Sequence, residues 1–187
     1  MLSYKWRWSS NKERKRNSSL NFLNAAFPQH RQTIFSADRQ YRYTLWREWD
    51  MFNSSYVMFI GLNPSTADET KDDPTIRRCV GFAKEWGYGA VCMANLFAYR
   101  ATDPRVMKEA ADPVGPDNDV WLERYAKDAS LVVAAWGAYG EHQGRAKEVL
   151  KKVEGVVCLG MTKGGYPRHP LYMLKTSRPQ IYALKAS

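Results

Sequence analysis

The stretch VMFIGLNPSTADETKDDPTIRRCVGFAKEWG, residues 57–87, decides the fold. Its first five residues form a continuous apolar run, too short for a helix and with no polar alternation, which reads as a strand buried on both faces. Gly61 ends the run and Asn63-Pro64 turns the chain. Asp73 followed by Pro74 is an N-cap with proline at the first helical position, and Ile76, Val80 and Ala83 recur at helical spacing until Gly87. Strand, loop, helix and stop are thus written into one segment.

The same alternation continues outward. Apolar runs recur at 90–94 (AVCMA), 131–136 (LVVAAW) and 156–160 (VVCLG). Between them lie a second Asp-Pro helix start at Asp103-Pro104, a helical pattern over 117–128 (Val120, Trp121, Tyr125) and another over 141–152 (Ala146, Val149, Leu150). Four buried strands alternating with helices predict an α/β domain, a parallel sheet covered by helices. Upstream, TIFSADRQYRYTLWREW (33–49) is two β-prone runs around Ala37-Asp38-Arg39 and predicts a β-hairpin. Residues 1–32 carry scattered aromatics without a period and read as a basic N-terminal arm, leaving 33–187 as the folded domain.

A chain of 187 residues suits one compact domain, and 44% apolar with 25% charged residues argues against disorder. The formal charge is +9, and it is unevenly spread: residues 1–50 hold ten basic and four acidic side chains, and residues 155–187 hold five basic and none acidic. Cationic ends suit a polyanionic partner, because phosphate neutralisation releases counterions; solubility alone is the plainer explanation. Cys79, Cys92 and Cys158 form no CxxC pair, so neither a disulfide framework nor a zinc ribbon is expected. No apolar window reaches membrane-spanning length and the N-terminus lacks a secretory pattern, which predicts a cytoplasmic protein without membrane contact.

In an open parallel sheet, ligands bind beyond the carboxyl ends of the strands. The first exit is Gly61-Leu62-Asn63-Pro64-Ser65, neither a dinucleotide-binding loop nor a Walker loop. The second is Asn95-Leu96-Phe97-Ala98-Tyr99, and the third is Trp136-Gly137. After the fourth, a Gly-rich loop bearing Lys163 leads to Tyr166-Pro167-Arg168-His169-Pro170-Leu171-Tyr172, a histidine fixed between prolines in a cationic loop. His30 and His142 read as solvent-exposed. Asp68, Glu69, Asp72 and Asp73 can hold Mg²⁺ for phosphoester hydrolysis, or they are a cap and a solvated loop. Arg77 and Arg78 pair with those acids or touch phosphate.

Taken together, GLNPS after the first strand, an asparagine after the second, Trp-Gly after the third and a late His-Pro-Leu resemble the uracil-DNA glycosylase superfamily. Residues 39–172 also resemble a family of small bacterial and phage proteins with a domain of unknown function. The first resemblance implies a three-layer α/β/α fold, four parallel strands in the order 2-1-3-4, and hydrolysis of an N-glycosidic bond without metal or cofactor. It assigns water positioning to Asn63, a hydrogen bond to the departing base to His169, and base binding to Asn95, with Gly61, Leu62, Ser65, Tyr99 and Trp136 around the base. Such chemistry must stabilise negative charge on the base and place a water opposite it.

Asn63 stands where the best-known members have aspartate and cannot take a proton, so Asp72 or Asp73 is the candidate supporting base. Ser65 stands where uracil-specific members have a tyrosine, implying space for a C5 substituent such as that of hydroxymethylcytosine or its glucoside. Lys163, Arg168, Arg77 and Arg78 are the expected DNA contacts. The implied partner is DNA with a modified base, with no obligate protein partner. A uracil or mismatched-thymine repair enzyme, a metal-dependent nuclease and a non-catalytic reader of modified DNA remain the alternatives.

Overall fold

A computed structural model describes residues 32–183. The expected basic arm therefore lies outside the described residues, apart from Gln32. The chain is mixed α/β. Strands β1 (Thr33–Phe35), β2 (Arg42–Glu48), β3 (Tyr56–Gly61), β4 (Ala90–Asn95), β5 (Leu131–Ala134), β6 (Val157–Cys158) and β7 (Gln180–Ile181) form one sheet in the order β1-β2-β4-β3-β5-β6-β7. Among the described residues the helices are α1 (Pro74–Glu85), α2 (Pro104–Glu109), α3 (Asn118–Asp128) and α4 (Arg145–Lys152).

β3 pairs in parallel with β4 and β5, and β5 with β6. Where a four-stranded parallel sheet with a separate N-terminal hairpin is expected, the sheet is larger and mixed: β1, β2 and β7 extend it antiparallel, giving seven strands. The reason is edge chemistry. An uncovered β4 would present a row of unpaired N–H and C=O groups, and the expected hairpin supplies β2 to satisfy them, with Leu45 opposite Met93. β7 does the same for β6, with Ile181 opposite Val157.

Burial on both faces explains the continuous apolar runs. Val57, Phe59, Val91, Met93 and Val133 cluster with Ile76, Cys79, Phe82 and Ala83 of α1. Met58, Ile60, Cys92, Ala94, Val132 and Ala134 point the other way, against Trp121, Leu122 and Tyr125 of α3 and Ala146 and Val149 of α4. All three cysteines are free and buried, and burial pushes the Cys79 and Cys92 thiols up, so both stay protonated at neutral pH. No helix among the described residues is long and apolar enough to cross a membrane.

The helix starts follow the capping signals. Asp73 Oδ1 accepts from the Ile76 N–H at 2.8 Å, Pro74 follows, and Gly87 takes φ 84° just beyond the end. Asp103 likewise accepts from the Arg105 N–H at 2.8 Å. The last helix departs from expectation. Residues 141–144 belong to a 3₁₀ segment, Ala138–Gly144, broken at His142 and Gln143, and α4 begins only at Arg145. Gly140 packs directly on the Trp136 ring, which holds this segment away from a straight helical path.

β3 and β4 end together, with Gly61 opposite Asn95. The Asn95 Oδ1 occupies the place of a side chain at residue 61, since a Cβ there would lie 2.8 Å from it. Gly61→Ala is therefore expected to destabilise the fold by about 1–3 kcal/mol. Chemical denaturation checks this, and adding Asn95→Ala in the same chain should recover part of the loss.

Candidate functional site

The segments leaving the sheet at its carboxyl edge have little regular structure, so their carbonyls need other donors. Buried side chains provide them. Asn118 is fully buried and its amide donates to Asn95 O at 3.1 Å and Leu96 O at 3.0 Å; the buried Arg145 adds Nε to Leu96 O at 2.9 Å. Arg145 is neutralised by Asp119, which also takes Lys152 at 2.8 Å. On the other side, Arg42 donates to Ala67 O at 2.8 Å, and Arg47 donates to Asp68 O at 2.5 Å and pairs with Asp72 at 2.7 Å. Burial pushes the Arg42 guanidinium down to about 10, still cationic at neutral pH, with the Asp73 charge acting in the opposite direction.

Asn63 is held the same way. Its Nδ2 donates to Ala101 O at 2.7 Å and to Pro64 O at 3.2 Å. With both amide hydrogens directed at carbonyls, Oδ1 is the atom left for a ligand, and it can only accept. His169 has the opposite polarity. Its Nδ1 accepts from the Leu171 N–H at 3.4 Å, placing the ring proton on Nε2 as a donor. Burial lowers the imidazole from its ordinary 6.5 against the opposing Asp73 charge, so the ring is neutral at neutral pH. Asp73 thus lies close enough to be felt by both Arg42 and His169 while it caps α1. Met173, at the end of the 3₁₀ turn Pro170–Tyr172 that His169 begins, accepts from Arg78 of α1, fixing this turn against the helix start.

The acidic loop is committed to structure. Asp68 accepts from the N–H groups of Thr70 and Lys71, which lowers its carboxyl to about 2; Glu69 pairs with Arg39 at 2.9 Å, and Asp72 with Arg47. The described residues contain no His, Cys, Asp and Glu group arranged to hold a metal ion. Of the two candidate supporting bases, Asp72 is paired with Arg47 and Asp73 caps α1. Arg77 donates to Asp72 O at 2.6 Å and Arg78 to Met173 O, so neither makes the expected pair with a carboxylate. Arg78 ties α1 to the 173 turn and is not a free phosphate contact.

Other expected residues divide. Ser65 and Tyr99 line one open cleft of about 410 Å³, together with Arg39, Gln40, Thr66 and Arg100. Leu62 is half-buried against the core, and its carbonyl accepts from the Phe97 N–H at 3.0 Å. Trp136 is 3% exposed and meets Tyr182 edge-on at 5.8 Å, which makes it a core residue with no face for a base. Asn95 is also 3% exposed, and its Nδ2 is buried without a protein partner, as are Asn118 Oδ1 and His142 Nε2. His142 is thus not solvent-exposed; its ring lies 5.5 Å from Phe97. Lys163 and Arg168 are exposed, with Arg168 Nε donating to Met161 O at 3.1 Å. His30 lies outside the described residues.

A family model described as protein of unknown function, DUF1643, matches residues 42–171, from the start of β2 to the turn after His169. The chain belongs to this family. The matched range spans Asn63, the acidic loop, Asn95 and His169. No curated protein and no solved structure matches the chain.

Sequence reasoning missed Arg42, Arg100, Asn118 and Arg145. The available signal was a charged residue between strand aromatics, as in Tyr41-Arg42-Tyr43. Asn63→Asp provides a direct test of the Asn63 geometry. A carboxylate cannot donate to the Ala101 and Pro64 carbonyls, and leaving two acceptors facing an anion should cost about 1–3 kcal/mol. The unfolding midpoint should fall for Asn63→Asp at neutral pH and recover as the pH drops through the carboxylate range.

Proposed function

We propose that this DUF1643 chain is a monofunctional DNA glycosylase that hydrolyses the N-glycosidic bond of a flipped pyrimidine and leaves an abasic site. The observation that carries the reading is the fixed and opposite hydrogen-bond polarity of Asn63 Oδ1 and His169 Nε2–H, on loops at the same edge of the parallel strands. The parallel order β4-β3-β5-β6, with helices packed on both faces, supports the α/β/α arrangement of the uracil-DNA glycosylase superfamily.

In the proposed reaction, water orients by donating to Asn63 Oδ1 and attacks the anomeric carbon as the bond to the base nitrogen breaks. The base leaves as an anion, stabilised by the His169 Nε2–H donor, and solvent carries the water proton to it. Asp73 favours positive charge developing on the sugar. A neutral imidazole is the right donor for this task, because it retains the Nδ1 acceptor that orients the ring. The preference for a base with a C5 substituent rests on the resemblance alone, in which Ser65 stands where uracil-specific members have a tyrosine. A flipped base costs a few kcal/mol, offset by phosphate contacts of the cationic surface.

The test incubates the protein with oligonucleotides, single-stranded and duplex, bearing uracil, mispaired thymine, hydroxymethylcytosine or its glucoside, and measures free base and alkali-labile sites. Asn63→Ala and His169→Ala should each slow release by about 10²–10³-fold. Release unaffected by both substitutions contradicts the site. EDTA-sensitive strand breakage without alkali replaces the reading with phosphoester hydrolysis, and tight binding without release replaces it with a reader.

The pH dependence follows from the His169 shift. Burial lowers its pKa, so the neutral form persists as the pH falls through 6.5 and is lost only below that value. The acid limb of base release, and the stability this burial links to pH, should both fall below 6.5. A pH–rate profile with its acid limb at or above 6.5 contradicts the assignment.

A further inference from the structure

The cleft that Ser65 and Tyr99 share has a chemistry of its own. Its wall is formed by the hairpin turn (Arg39, Gln40), the loop after β3 (Ser65, Thr66) and the segment after β4 (Tyr99–Thr102), and none of its lining residues is acidic. Two guanidiniums flank one ring there: Arg39 lies 3.9 Å and Arg100 4.9 Å from the centre of Phe35. The Arg100 NH1 donates to Arg39 O at 2.9 Å, which locks one arginine to the backbone of the other.

The charges of the two arginines are balanced differently. Arg39 pairs with Glu69 through both guanidinium nitrogens, at 2.9 and 3.1 Å. Arg100 is half-buried and pairs with no carboxylate among the described residues, and its Nε is buried without a partner. A partly desolvated cation lacking a counter-charge is costly, and an anion in the cleft removes that cost. Arg39 itself holds φ 58°, a conformation in which glycine is relaxed and other residues are strained by about 1–2 kcal/mol. The residue in this strained position is an arginine whose side chain lines the cleft.

We infer that this cleft is a phosphate-binding subsite, with Arg100 as its central ligand, Arg39 as its second cation, and the Ser65, Thr66 and Thr102 hydroxyls as further donors. Its occupant is a phosphodiester of the strand whose base is presented to the carboxyl edge. The inference deepens the nucleic-acid reading above and rests on it for that ligand. A neutral sugar attached to the base is the competing occupant; Arg100, a half-buried cation that pairs with no carboxylate among the described residues, favours an anion over it.

The test measures binding of an unmodified oligonucleotide by fluorescence anisotropy over a series of salt concentrations, using the full chain. Three variants are compared with the native protein: Arg100→Ala, Arg39→Gly and Lys163→Ala. Arg39→Gly removes the guanidinium and relieves the backbone strain, so it keeps the inference testable if Arg100→Ala folds poorly. Loss of one phosphate contact should weaken binding several-fold and reduce the salt slope by about 0.7–0.9. This is the result expected for Arg100→Ala, with a similar or smaller change for Arg39→Gly.

Slopes equal to the native value in both variants, or reduced only in Lys163→Ala, overturn the inference. So does a native protein without measurable binding. An Arg100→Ala effect confined to oligonucleotides with a glucosylated base makes the cleft a base-substituent pocket and also overturns it. A reduced slope in a protein that releases no base upholds the phosphate subsite and removes the glycosylase reading alone.

Discussion

Arg42, Arg47, Asn63, Arg78, Asn118 and Arg145 donate hydrogen bonds to loop carbonyls near the carboxyl edge, and the candidate site depends on them. A sheet satisfies its own backbone groups, but the turns that leave it do not. When such turns are packed under other segments, each carbonyl needs a donor or costs about 1–3 kcal/mol. This chain supplies guanidiniums and amides, which satisfy the carbonyls and also fix the orientation of the donor side chains themselves. Asn63 illustrates both effects: its amide hydrogens are consumed by the Ala101 and Pro64 carbonyls, which fixes the side chain and leaves Oδ1 as an acceptor.

The same demand for partners explains why four neighbouring carboxylates do not form a metal site. Each is drawn to a different partner: backbone N–H groups at Asp68, Arg39 at Glu69, Arg47 at Asp72 and the start of α1 at Asp73. Arg42 and Arg47 of β2 donate to the Ala67 and Asp68 carbonyls and tie the loop to the sheet. Asp73 is the exception in its surroundings, because its charge reaches both the buried Arg42 and the His169 imidazole.

Much of the fold was legible in the sequence. The run Val57–Gly61 and the Asp73-Pro74 pair specify strand and helix through local chemistry, and both occur where the pattern places them. The antiparallel extensions were not legible, since whether a hairpin joins a sheet depends on an exposed edge that only the assembled fold creates. The start of α4 was hidden because Gly140 meets Trp136 through packing. At the site, Asn63 and His169 stood out beside prolines, but the roles of Arg100 and Asn118 come from partners far away in the chain. Trp136 was misread because an aromatic at a strand exit looks the same in sequence whether it faces a ligand or Tyr182.

In the proposed reaction the carboxyl edge meets the base with a neutral His169 whose proton is on Nε2. Long-range nitrogen–proton NMR of that imidazole, recorded at neutral pH with and without saturating abasic-site oligonucleotide and free base, tests it most directly. The predicted result is a neutral ring protonated at Nε2, whose resonance moves on saturation. A proton on Nδ1, or an Nε2 signal unmoved by bound ligand, contradicts it.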